Sequence, residues 1–169
     1  MVEEILKEMI IYANGNKKDI AHFLKVHSYA RLIGKLVQLD EKTQKILEIA
    51  AIVHDIACPL CRKKYGNSNG KFQEIEGPDL VYDFLKPFSL TDLEINRIAY
   101  LVGHHHTYEN IDGLDYQILL EADFLVNGDE MNADNKTIAA MKNKVFKTAT
   151  GIKLLEYIYE IGRASCRER

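Results

Sequence analysis

Apolar residues recur three and four positions apart along the whole chain, and strand-like alternation never lasts beyond a few residues. This pattern predicts an all-α fold, a single-domain helical bundle of about seven to eight helices. The first helix covers Glu3 to Ala13 and stops at Asn14-Gly15-Asn16, where glycine can take the left-handed conformation of a helix end. Asp19 is expected to cap the second, which runs to Gln38 and sets Phe23, His27, Arg31 and Lys35 four apart along one face. A third helix, Lys42 to Ile56, is rich in Ala and Ile and carries His54 and Asp55 at its end. Ala57 to Gly70 reads as a loop, because Pro59, Gly66-Asn67 and Asn69-Gly70 interrupt the period in quick succession. A fourth helix is expected to start around Pro78, since the first turn tolerates proline, and to end before Pro87.

Thr91-Asp92-Leu93-Glu94 matches a capping box and opens a fifth helix that runs into His104. After a polar turn from Tyr108 to Gly113, a sixth helix from Asp115 to Asn127 carries Asp123. Two amphipathic helices, Asn132 to Lys147 and Thr150 to Ile161, close the bundle.

At 169 residues the chain suits one compact domain, here residues 1–161. The segment Gly162 to Arg169 loses apolar periodicity and reads as a disordered or appended tail. A formal charge of -3 and a pI near 6.1 exclude the strong cationic field that binding a nucleic-acid polymer needs, so any phosphate site must be local. The N-terminus lacks the basic and apolar regions of a signal peptide, and no apolar run approaches the ~20 residues that span a bilayer. Three cysteines are too few for a disulfide framework. A cytoplasmic protein is expected, with no membrane partner and with room for a homodimer. Cys58-Pro59-Leu60-Cys61 looks like half of a zinc or redox site but lacks a second ligand pair and a strand context, and reads as incidental.

All six histidines fall between residues 22 and 106, three of them consecutive at His104-His105-His106. A single helical histidine is ordinarily a satisfied core or surface residue; the clustering points further. His54-Asp55 ends an otherwise apolar helix, Ile49-Ala50-Ala51-Ile52-Val53, where two adjacent polar groups are costly unless something satisfies them. A divalent ion would do so, since imidazole nitrogen and carboxylate oxygen suit a borderline or hard cation. The bland alternative is a surface helix terminus.

The ordered set of His27, the His54-Asp55 pair within Ile52-Val53-His54-Asp55-Ile56, the triplet, and Asp123 within Leu120-Glu121-Ala122-Asp123-Phe124-Leu125 resembles the HD superfamily of metal-dependent phosphohydrolases over most of the chain. The resemblance implies a site built from residues 22–127, with His27, His54, Asp55 and Asp123 as ligands of one divalent ion: Mn, Fe, Co, Ni, Zn or Mg. HD proteins that hold two ions have a further histidine near Gln73, so Gln73 argues against a second ion. Glu74 or Glu76 remain as oxygen donors, or as favourable charges near a helix N-terminus.

The resemblance also implies that Asp55 is both ligand and hydrogen-bond acceptor for the attacking water, and that His104 and His105 serve as second ligands or contact phosphate. Successive helical positions turn by ~100°, so at least one of the triplet faces solvent. Arg31 and Lys35, beyond His27 on its face, and Lys64, with Arg62 and Lys63 after His54-Asp55, are candidate substrate-binding cations; such a run is otherwise simply solvated. Tyr108, Asn110 and Asp112 either shape the pocket or form the turn. The expected activity is hydrolysis of a phosphoester of a small metabolite, a nucleotide foremost, with the general acid unassigned. A metal- or nucleotide-binding regulatory module and a di-iron oxygenase are the alternatives.

Overall fold

Nine α-helices and no strand make up the described residues, 1–160, of a computed structural model. They are α1 (Val2–Tyr12), α2 (Lys17–Leu36), α3 (Glu41–Val53), α4 (Cys58–Tyr65), α5 (Gly70–Leu85), α6 (Asp92–Val102), α7 (Leu114–Glu130), α8 (Asn135–Val145) and α9 (Ala149–Tyr159). The tail expected at 162–169 lies outside the described residues. One continuous apolar core takes side chains from α1 through α9 except α4. Its centre is α3 and α7. From Leu47 to Val53 every residue of α3 is buried, as is nearly all of α7 from Asp115 to Val126. Helices apolar on all sides must be wrapped, and α2 packs against both.

Local capping starts several helices where the sequence signals them. Thr91 and Glu94 form the expected reciprocal capping box at α6. Asp40, Asp134 and Thr148 each accept a backbone N–H at the start of α3, α8 and α9. Asn16, not Asp19, caps α2: its side chain accepts from the Asp19 N–H and donates to the Asp19 carboxylate.

Two expectations are corrected. The segment expected as a loop contains α4, because Pro59 sits in the first turn, where its missing N–H is harmless, and Gly66 ends the helix at φ 76°. Pro78 does not start a helix but lies inside α5, which begins at Gly70. Its neighbour Gly77 sets the packing of this stretch. A Cβ there would stand 2.7 Å from Val102 Cγ1, so the missing side chain lets α5 press against the end of α6. That contact brings Glu74 under the histidine triplet, where it accepts from the His106 N–H (2.9 Å) and the Thr107 hydroxyl (3.0 Å).

Candidate metal centre

The α2 helix shows its buried face at His22, Val26, Ala30 and Ile33, one stripe at helical spacing. His22 therefore points inward near the start of α2. The α3 helix delivers His54 at its C-cap, and the tight turn that follows, closed by Ile56 N–H to Val53 O and Cys58 N–H to Asp55 O, swings Asp55 to the same side. Asp123 comes from the middle of α7, and His105 from the turn after α6.

These atoms converge. His22 Nε2 lies 3.1 Å from His54 Nε2, 3.2 Å from Asp123 Oδ1 and 3.4 Å from Asp55 Oδ2. His54 Nε2 lies 3.4 Å from Asp123 Oδ1 and 3.6 Å from Asp55 Oδ1, and His105 Nε2 lies 3.5 Å from the same Asp55 oxygen. The outer ring nitrogens fix the tautomers. His54 Nδ1–H donates to Ala51 O (2.8 Å), His105 Nδ1–H to Val102 O (2.7 Å) and His22 Nδ1–H to the Glu130 carboxylate (2.9 Å). In the neutral imidazoles every Nε2 then carries a lone pair, and these face one another and two carboxylates. Such a set contains acceptors only and calls for a cation.

Without an ion, the same shortage of positive charge is made good by protons. Burial opposes a charge on His22, but hydrogen bonds to Asp123 and Glu130 and the nearby Asp55 outweigh it and push its pKa up to about 9. Burial would raise Asp55 and Asp123, yet the surrounding imidazoles hold both carboxyls far below the usual range. His106 behaves oppositely: burial and the neighbouring His105 push it down to about 4.

Two donor groups compact enough for an ion result: His22, His54 and Asp123, and beside them Asp55, His105 and His106. Asp55, with about a quarter of its side chain exposed, stands between them, while His54 and Asp123 are sealed. His105 Nε2, His106 Nε2 and Gln73 Oε1 are buried without a hydrogen-bond partner. Beside the centre opens a cavity of about 530 Å³ whose lining includes His22, Asp55, Gln73, His106 and Asp123.

Three of the four expected ligands, His54, Asp55 and Asp123, meet here; His27 does not. Its Nε2 contacts the Glu48 carboxylate (3.2 Å), which also accepts from Arg31 (3.3 Å) and from Gln44 (2.8 Å), and His22 stands in the expected place. Five residues separate the two histidines, which turns them to different faces.

Of the triplet, His105 belongs to the centre and His106 lines the cavity, but His104 turns away. Its Nδ1 donates to Tyr100 O (2.7 Å) and its ring stacks on Tyr100. Arg31 is engaged by Glu48, Lys35 is exposed outside the cavity and Lys64 pairs with Glu76, so of the five expected substrate cations neither these three nor Lys63 lines it. Lys18 and Arg62 do, with Arg62 held by Asp19. Neither Glu74 nor Glu76 reaches the centre, since the first holds the triplet's backbone and the second Lys64 and Tyr65.

Cys58 and Cys61 are buried free thiols; Cys58 lines the cavity, and burial pushes both thiols up. Tyr108 lines the cavity, whereas Asn110 takes a left-handed turn conformation and Asp112 pairs with Arg97. Sequence reasoning missed His22, His106, Glu130 and Lys18. The stripe His22-Val26-Ala30-Ile33 was the signal that could have singled out His22.

Comparison with known proteins bears on this geometry. A family model described as HD domain matches residues 19–142. The fold resembles the crystal structure of a predicted HD superfamily hydrolase from an uncultured Thermotogales bacterium, with a TM-score of 0.70 and 21% identity over 94% of this chain and 84% of that one. No curated protein matches. Among the described residues no helix is long and apolar enough to cross a membrane. The family match spans well over half of the chain and carries the α2, α3 and α7 residues of the centre, and the chain belongs to the HD domain family.

Proposed function

We propose that the protein is a metal-dependent phosphohydrolase acting on a phosphoester of a small metabolite, with a nucleotide as the leading class. One observation carries this reading: the Nε2 atoms of imidazoles whose Nδ1–H groups are spent outward converge with two carboxylates on one point beside an open cavity, so that the neutral rings offer only lone pairs there. His22, His54, Asp55 and Asp123 would hold the ion. A divalent ion bound there would supply Lewis acidity toward a phosphate oxygen and toward a water molecule.

The chain's own groups do the rest. Asp55 is the more exposed carboxylate and stands 3.4–3.6 Å from three imidazole nitrogens, which places it to accept a hydrogen bond from the attacking water and orient it. Glu130 orients His22, and the Ala51 carbonyl orients His54. Lys18 and Arg62 are the cations available to a phosphate, provided that Arg62 exchanges Asp19 for it.

A second reading concerns the number of ions. Gln73 argued for one, yet Asp55, His105 and His106 form a second donor group, and the orphaned atoms of His105, His106 and Gln73 favour its occupation. Metal analysis of the purified protein, followed by phosphate release from nucleotides and phosphosugars with Mn, Co, Ni and Mg, tests both. Release that disappears in Asp55→Ala is expected. Stoichiometric metal without release from any substrate would sink the hydrolase reading in favour of a binding module, and two irons with oxygen uptake would favour the oxygenase.

A further inference from the structure

The centre uses the floor of the cavity, but not the wall that α7 and α8 build beside it. Asp123, Asn127 and Met131 lie four apart along α7 and its C-cap, so they form one stripe whose steps rise about 6 Å each. On α8, Thr137 and Met141 repeat that spacing, and all five residues line the cavity. Beyond Asp123 the two stripes are uncharged. Glu130, the lining carboxylate nearby, is occupied by His22 and Lys25, and neither Lys142 nor Lys144 lines the cavity. Among the described residues the half-buried side-chain amide of Asn127 has no hydrogen-bond partner.

We infer that this wall is a specificity subsite for an uncharged heteroaromatic leaving group, with Asn127 hydrogen-bonding to its edge and Met131 and Met141 packing on its faces. An amide offers donors and an acceptor together, which matches the mixed edge of a heterocycle. Thioethers are polarisable and adapt to flat rings. A polyol would need a denser set of polar partners than this wall has, and a second anionic group would meet no cation on it. Asn127 stands about 6 Å and Met131 about 12 Å along α7 from Asp123, so a spacer of sugar size must separate the ring from the reacting phosphate. The inference rests on the proposed hydrolase reading only for the position of that phosphate.

Calorimetric titration of the Mn-loaded protein with adenosine, guanosine, cytidine, uridine, glucose and glycerol tests the subsite without requiring turnover. At least one nucleoside is expected to bind about 10-fold or more tightly than glucose. Asn127→Ala is expected to weaken that binding by about 10-fold, the loss of one well-made hydrogen bond, and Met141→Ala by about 3-fold, with metal content unchanged. Asn127→Leu, which keeps the volume and removes both polar groups, serves if the alanine variant does not fold. Glucose or glycerol binding as tightly as every nucleoside, or nucleoside binding indifferent to both Asn127 variants, overturns the inference. Nucleoside binding without phosphate release would instead count against the hydrolase reading and leave the subsite standing.

Discussion

Two clusters of histidine and carboxylate lie on α2, little more than a turn apart, and they have opposite chemistry. At His22 the facing atoms are lone pairs and carboxylate oxygens, and the available N–H groups are all spent outward on Glu130, Ala51 and Val102. At His27 the buried Glu48 is surrounded by donors: Gln44 to one oxygen, Arg31 and the imidazole to the other. The second cluster is internally satisfied and knits α2 to α3; the first is left short of positive charge. Residue types alone do not separate a metal centre from a structural network. What separates them is where the protons point.

The largest effect that could break this comparison is at the centre. Asp123→Ala or His22→Ala is expected to lower metal affinity by more than about 100-fold, read by metal analysis after dialysis, since removing a ligand should exceed the 10- to 100-fold typical of its supporting groups. Retention of a full metal complement in either variant would refute the centre. Next, Glu48→Ala leaves His27 and Arg31 without their acceptor. It should destabilise the fold by about 3 kcal/mol in urea unfolding while metal stoichiometry stays at the wild-type value.

Glu130→Gln removes the carboxylate behind His22 and should weaken metal binding by about 10-fold, the lower end for such a group. His27→Ala should leave metal content untouched and cost about 1 kcal/mol of stability; lost metal there would reinstate His27 as a ligand. The smallest expected effect lies outside both clusters. Lys45, together with the capping contacts of Thr91, holds the Glu94 carboxyl down to about 2. A depressed acid contributes its stability above the unfolded value near 4.5 and loses it as pH falls toward 2. Glu94→Gln should therefore remove about 1 kcal/mol at pH 7 and little at pH 2, measured by thermal unfolding across that range.

Much of the bundle is readable from periodicity, because burying a stripe at three- and four-residue spacing is what holds these helices. The boundaries that went astray share a cause. Pro59, Gly66 and Pro78 are breakers in isolation, yet Pro59 fell in a first turn, Gly66 at a helix end and Pro78 beside a glycine pressed on Val102. At the centre, His54 and Asp55 stood out because two polar residues ending an apolar run require a partner, and Asp123 through the resemblance to the HD family. His27 misled because its row starts at the buried Phe23 but turns, from His27 through Arg31 to Lys35, to the half-exposed and exposed side of α2, whereas His22 shares the row of Val26, Ala30 and Ile33. Of the cations of the cavity, Arg62 was among the sequence candidates and Lys18 was not, since that Lys18 of α2 and Arg62 of α4 line one cavity is recorded by no spacing along the chain.

The sequence by itself determined the helical class, through local periodicity, and the presence of a histidine and carboxylate centre, through the cost of unsatisfied polar groups at His54-Asp55 together with the resemblance to the HD family. Tertiary structure alone decided which histidine belongs to the centre, that Asp55 stands between two donor groups, and that His104 turns away while His105 turns in. Those outcomes depend on side-chain direction to within a fraction of a helical turn and on contacts between elements distant in the chain. A ligand set is a matter of a few ångströms in space, and that scale is reached only when α2, α3, α6 and α7 pack together.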